Sequence, residues 1–331
     1  MEKEYSFDTA KLLQELPSFS QKGITELALH DKNISSDKKL LLNFIKAVEE
    51  KSPELFVTIP VLPQVIDNSI CLEAQKINCT LDIPLEGTVK QNNGAGFVLL
   101  FDKKLYSNKA SLLNNSELVF GFDMGWGVQQ GDTSKLFRDR LDFAISLYPN
   151  HIYFEQLECN EKSLPTGIFS SKDLDYSRDL AFACKTFYTE GRAVPWFNSV
   201  LNALKITPCS FFADFAEWQR CSSCDIKSGF NPEETPHKEI EKMQLVFLKQ
   251  KFEEKNKDQL WNAVEDVVKI NGAFSRAASD GEESIIETSY SPDDILSPQI
   301  YDISKFCDNA CLESCKVKIF ISEDSPDYKI L

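Results

Sequence analysis

The chain has 331 residues, of which 42% are hydrophobic and 26% charged; that supports a large core and suggests one big domain with a smaller one. This composition excludes a disordered, collagenous or short disulfide-stapled protein. Subtracting 51 acidic from 36 basic residues gives a net charge of −15, which argues against nucleic acid as a direct partner. No apolar run reaches the ~18–20 residues of a membrane span, and Pro60 and Pro63 break the best candidate. The opening Met1-Glu2-Lys3-Glu4-Tyr5 has no apolar core of a secretory signal. A cytoplasmic protein is expected, with its ten cysteines as reduced thiols or metal ligands.

Residues 9–22 read as a helix that Gly23 ends. Thr25 to Leu29 reads as a first strand. Ser35 or Ser36 is expected to cap a helix with Leu40, Leu41, Phe44, Ile45 and Val48 on one face. LFVTI at 55–59 is a second strand, 66–77 a helix, and CTLDI at 79–83 a third strand. The turn-rich 89–96 suggests a loop or hairpin insertion. ELVFGF at 117–122 is a fourth strand, Asp132 or Thr133 caps the next helix, and HIYFEQL at 151–157 is a fifth strand. Strands apolar on both faces and separated by helices indicate parallel βαβ units. No Gly-x-Gly-x-x-Gly follows a strand and no P-loop motif occurs. The expected fold class is therefore α/β, an open or incomplete barrel of parallel strands over 1–167. A helical domain over 168–278 follows, then an acidic connector and cysteine-containing tail over 279–331 with a strand at 316–322.

In parallel α/β architectures ligands bind beyond the carboxyl ends of the strands. Those positions hold His30, Asp31 and Lys32, then Glu86, Gly87 and Thr88, then Asp123, Met124 and Gly125, and finally Glu155 and Gln156. No histidine has metal-ligand spacing with another, and no Gly-x-Ser-x-Gly elbow is present. Phe211, Phe212, Phe215 and Trp218 recur at helical spacing and are expected in a core, as are Cys71, Cys79, Cys159, Cys184 and Cys209. Asp173, Asp175 and Asp179 read as a solvated helix face.

The succession ITELALHDK, LFVTIPVLPQVID, LDIPLEGT, LVFGFDMGWG and FRDRLDFAISLYPNHIYFEQL resembles the catalytic barrel of radical S-adenosylmethionine (radical SAM) enzymes. It is most similar to the group carrying an N-terminal cobalamin-binding domain, and KSLPTGIFSS and CSFFADFAEW resemble that group's helical part. The similarity spans roughly 8–255. The resemblance implies an S-adenosylmethionine pocket: His30, Asp31 and Lys32 at the methionyl amine, Glu86 and Thr88 at the ribose, Asp123 and Glu155 at the lining strand ends. Such enzymes hold an iron–sulfur cluster through C-x3-C-x2-C after the first barrel strand. Here that strand, its loop and a cobalamin domain are missing, and the first cysteine is Cys71. A degenerate relative acting as a binding or partner subunit is expected. The alternative is an enzyme, either half of a split radical SAM enzyme or one using its C-terminal cysteines.

Cys221 and Cys224 form C-x2-C, and Cys307, Cys311 and Cys315 form C-x3-C-x3-C. On a helix the latter spacing aligns three thiols on one stripe. The five are candidates for a zinc site or an iron–sulfur cluster. A sheet starting at Thr25–Leu29 leaves an open edge. The tail strand 316–322 is the expected cover within the chain; the alternatives are residues 1–8, a second copy, or a partner protein supplying the missing strand and cluster loop.

Overall fold

The computed structural model describes residues 9–30, 32–92, 96–127, 129–158, 164–323 and 325–331. They divide into two compact units, one running up to Asp132 with Ile152–Glu155 added, the other comprising Thr133–His151 and Gln156–Leu331.

The first unit contains α1 (Thr9–Gln21), β1 (Glu26–Ala28), α2 (Lys32–Ser36), α3 (Lys38–Lys51), β2 (Phe56–Pro60), α4 (Asn68–Ala74) and β3 (Cys79–Pro84). The hairpin β4 (Thr88–Asn92) and β5 (Gly96–Leu100) follows, then α5 (Lys103–Asn115) and β6 (Phe120–Asp123). After α6 (Ser134–Ile145) in the other unit, the chain adds β7 (His151–Tyr153). These strands form a five-stranded sheet in the order β1-β2-β3-β6-β7, with β4 and β5 apart as an antiparallel pair. The β1–β2, β2–β3 and β3–β6 pairings are parallel. The order never reverses, so there is no switch point of the doubly wound kind among the described strands. Right-handed crossovers in an unreversed order bring the connecting helices to one face.

Register separates the two faces. Leu27, Val57, Ile59, Cys79, Leu81, Ile83, Phe120 and Phe122 share one, and all but Leu27 are buried. Tyr106 of α5 meets Phe122 edge-on there, ring centroids 6.2 Å apart. Thr58, Pro60, Thr80, Asp82, Pro84, Gly121 and Asp123 share the other. The strands are thus half-polar, not apolar on both faces as their composition suggests. In CTLDIP the apolar Cys79, Leu81 and Ile83 alternate with Thr80, Asp82 and Pro84, and it is a period of two that sorts such a strand.

Asp37 caps α3 by accepting from Lys39 N (2.8 Å) and Leu40 N (3.1 Å), while Ser35 and Ser36 fall inside α2. A carboxylate placed one residue later outcompetes the serines for the exposed amides. Asp67 caps α4, which is shorter than the expected 66–77. Helix α5 has no counterpart in the sequence reading, because LYSNKASLLNN is too polar to show a strong stripe. Strand β7 stops at Tyr153, where the short α7 (Glu155–Glu158) begins.

The second unit continues with α8 (Ser171–Cys184), a π-helical turn Lys185–Glu190, α9 (Phe197–Leu204), α10 (Pro208–Cys221), α11 (His237–Glu254) and α12 (Trp261–Asp280). Phe187 sits at its centre, 4.7 Å from the Phe211 ring and 4.9 Å from Phe215. The expected aromatic stripe is therefore core, with Trp218 stacked on Phe215 at 5.5 Å. Cys184 and Cys209 are buried in this unit, as Cys71 and Cys79 are in the first; Cys159 lies outside the described residues. Asp173 is not merely solvated: it closes a capping box with Ser170 at the start of α8.

Beyond α12 come β8 (Ser284–Thr288), α13 (Pro292–Ile295), α14 (Ile303–Asn309), β9 (Cys315–Ser322) and β10 (Ser325–Ile330). The three strands form an antiparallel sheet in the order β10-β9-β8. This corrects two expectations. The 279–298 stretch is not only a connector, since it contains β8. The tail strand covers no edge of the parallel sheet, because both its sides are taken by β8 and β10. Its alternate residues Cys315, Val317 and Ile319 pack with Ala273 and Ala277 of α12.

Candidate functional site

The polar face of the five-stranded sheet is the best-formed chemical surface in the first unit. Asp82 stands level with Gly121, and Pro84 level with Asp123. Leu85 N donates to Asp123 O (2.7 Å) and Met124 N to Tyr153 O (3.0 Å) with the same offset. Tyr153 therefore stands beside Asp123 on this face, with Glu155 just beyond it. Below Asp82 on the same strand face lies Thr80, 6% exposed, whose hydroxyl has no hydrogen-bond partner.

The loop after β3 is fixed by Tyr106. Its hydroxyl donates to Pro84 O (2.7 Å) and accepts from Glu86 N (3.2 Å). Gly87 N donates to Gln129 Oε1 (3.2 Å). A Cβ on Gly87 would come within 2.6 Å of the Leu99 side chain of β5, so only glycine lets the hairpin approach. Glu86 and Thr88 are exposed at this rim, as are His30 and Glu155. Asp31 and the Lys32 side chain lie outside the described residues.

Asp123 is pushed up to about 6, first by burial and then by the charges of Glu155, Asp82 and Glu86. The structure thus brings together Glu86, Asp123 and Glu155 from the expected set, while His30 and Thr88 make no described contact with them. Asp82, Thr80 and Tyr153 were missed. The alternation Thr80-Leu81-Asp82-Ile83 was the signal that could have found two of them.

The cysteines are dispersed. Cys221 ends α10 and is exposed, and Cys224 follows the turn, its N–H bonded to Gln219 O (3.0 Å). Burial pushes the Cys224 thiol up to about 11. Cys307 lies on α14, which ends at Asn309 as Ala310 turns extended. Cys311 is exposed beyond it, and Cys315 begins β9 inside the α12 core. The one-helix stripe expected for Cys307, Cys311 and Cys315 does not form. Among the described residues no three His, Cys, Asp or Glu side chains are grouped to hold a metal ion.

The second unit contains a buried polar network around Arg276. Arg276 Nη1 reaches Glu241 Oε2 (2.5 Å) and His237 Nδ1 (3.0 Å), and His237 Nε2 faces Gly191 O at 3.3 Å. The Gln244 amide donates to Phe187 O (2.8 Å) and Gly191 O (2.9 Å), satisfying carbonyls around the π-helical turn. Burial, then Arg192, hold His237 down at about 4, so it is neutral and accepts from Arg276. An adjoining cavity of about 320 Å³ is lined by Arg192, Lys238 and Asp280 among others, and its cations are paired with acids.

No family model matches the chain, and no curated protein does. Among solved structures it is similar to the radical S-adenosylmethionine methyltransferase TsrM from Kitasatospora setae with tryptophan substrate and a SAM analog bound. That match has 14% identity and a TM-score of 0.36 and covers 44% of this chain and 30% of that one. The same enzyme with cobalamin and a [4Fe-4S] cluster gives 13% identity, a TM-score of 0.35, and 44% and 28% coverage. The chain spans under a third of the length of these structures. No helix among the described residues is long and apolar enough to cross a membrane.

Proposed function

We propose that the chain is a degenerate, radical-SAM-like binding protein whose binding surface is the polar face of the five-stranded sheet. One observation carries this reading. Polar side chains are sorted onto a single face, and the carboxylates gather at its carboxyl end, where α/β sheets take ligands. An unreversed sheet with helices brought to one face is also what an arc of an incomplete barrel has. S-adenosylmethionine is the ligand the sequence resemblance implies, with Glu86 and Thr88 at its ribose and Asp123 and Glu155 at the strand ends that line the pocket.

Catalysis of the family's kind is not part of the proposal. The sequence has no C-x3-C-x2-C. The residues do not fit a cluster or zinc at the tail either, since Cys315 packs in an apolar core and the helix carrying Cys307 ends before Cys311. Reconstituted with iron and sulfide, the chain alone should form no 5′-deoxyadenosine from S-adenosylmethionine. Product above a blank, lost in Cys311→Ala, would sink the non-catalytic reading.

The open edge of β1 favours a partner as well. Among the described strands none pairs with its outer side, and Glu26 and Ala28 are exposed there. An uncovered edge is a template for another strand, supplied by a partner protein, as in a split enzyme, or by a second copy. Light scattering of the chain at rising concentration separates these: a persistent monomer leaves the separate partner.

A further inference from the structure

We propose that β10 is a pairing edge for a second copy of the chain, joining two tail sheets into one across a two-fold axis. The inference is independent of the binding reading and concerns the second unit alone. β10 pairs with β9 on one side, and among the described strands none takes its other side. Leu331 N donates to Lys316 O (2.8 Å), which fixes the phase of the ladder. Asp327 and Lys329 therefore turn their backbone groups towards β9, and Pro326, Tyr328 and Ile330 turn theirs outward. Tyr328 N–H accordingly meets no strand and donates to the Asp327 carboxylate instead (2.8 Å). Asp327 and Lys329 are both exposed, and neither forms an ion pair among the described residues.

The charge pattern selects a second copy as the occupant. Centred on Tyr328, an antiparallel pairing of β10 with itself sets Asp327 opposite the partner's Lys329, and Lys329 opposite the partner's Asp327. These fall at non-hydrogen-bonded positions, where facing side chains stand closest and opposite charges stabilise the pair. An isologous contact needs such self-complementarity, which an edge of one charge sign lacks. The same register covers an apolar side chain. Ile330 stands level with the buried Val317 on the α12 side yet is 52% exposed, and it would face the partner's Pro326. Proline commonly blunts an edge because it has no N–H. Here its carbonyl is what the register uses, accepting from the partner's Ile330. Pairing also passes Tyr328 N–H to the carbonyl of the partner's Tyr328, which releases Asp327 for the partner's Lys329.

Sedimentation equilibrium of the full chain across micromolar concentrations tests the proposal. The parent should show a reversible monomer–dimer equilibrium. Asp327→Lys and Lys329→Asp should each weaken it at least about tenfold, since the two-fold axis doubles every like-charge pair. The double reversal, Asp327→Lys with Lys329→Asp, should restore the parent's affinity. Ile330→Pro, which removes an outward N–H that the β9 ladder does not use, should abolish the dimer. All these variants should melt close to the parent when dilute, which shows that they are folded. A chain that stays monomeric throughout would overturn the proposal. So would a dimer indifferent to the single reversals, which would lie on another surface such as the β1 edge, or one that the double reversal fails to restore.

Discussion

The two units each gather ionisable groups around a buried or half-buried charge, and they do so with opposite chemistry. In the helical unit, Arg276 is matched to Glu241 and to a neutral His237, so charge and hydrogen bonds are largely met within the fold. On the polar face of the sheet, Asp123 shares its surroundings with Asp82, Glu86 and Glu155 and is held near 6. A charge matched by its partners contributes structure, whereas a half-buried carboxyl with like charges around it is held up and costs stability once it ionises. On the reading proposed above, the first unit holds the binding surface, while the network of the second is structural.

Breaking the compensated side should have the largest effect. Arg276→Met would leave the Glu241 carboxylate buried without its cation and should cost about 3–5 kcal/mol in urea unfolding. A loss under about 1 kcal/mol would show that the network is not structural. On the sheet, Leu81→Ala on the buried face should cost about 2–5 kcal/mol. Thr80→Val on the opposite face, one residue away, should be neutral or slightly stabilising, because it removes an unpartnered buried hydroxyl.

The pH dependence has opposite signs in the two regions. His237 is depressed in the fold, so its contribution is present above about 6.5 and is lost as pH falls towards about 4. Asp123 is raised, so its contribution is present below about 3.8 and is lost as pH rises through about 6. Asp123→Asn should therefore melt higher than the parent at neutral pH, by about 1–2 kcal/mol once solvent screening is allowed for. His237→Gln should flatten the acid limb instead. Identical pH profiles for parent and both variants would contradict the assignment. The smallest effect belongs to the tail: Cys221→Ala and Cys311→Ala, at exposed positions, should leave stability within about 0.5 kcal/mol. Elemental analysis should find below about a tenth of an equivalent of zinc or iron, where a thiolate site would hold near one.

Much of the fold was legible. Runs such as FVTI and VFGF are short and apolar, and helical stripes such as Leu41, Phe44, Ile45 and Val48 are unambiguous, so strands and helices fell where expected. Strand facing was less legible, because apolar content conceals a period of two until register is known; Asp82 and Thr80 were lost that way. The cysteine spacing misled for a related reason. Residues four apart align only while a helix continues, and the extended Ala310 ends α14 between Cys307 and Cys311. Glu86, Asp123 and Glu155 were recoverable because loop position after a strand is readable from order alone.

The most direct measurement is the titration of Asp123 itself, followed by carboxyl-carbon NMR. The account predicts a carboxyl titrating near 6, raised by its burial and by Glu155, Asp82 and Glu86. A carboxyl titrating near the ordinary aspartate value of about 3.9 would contradict it.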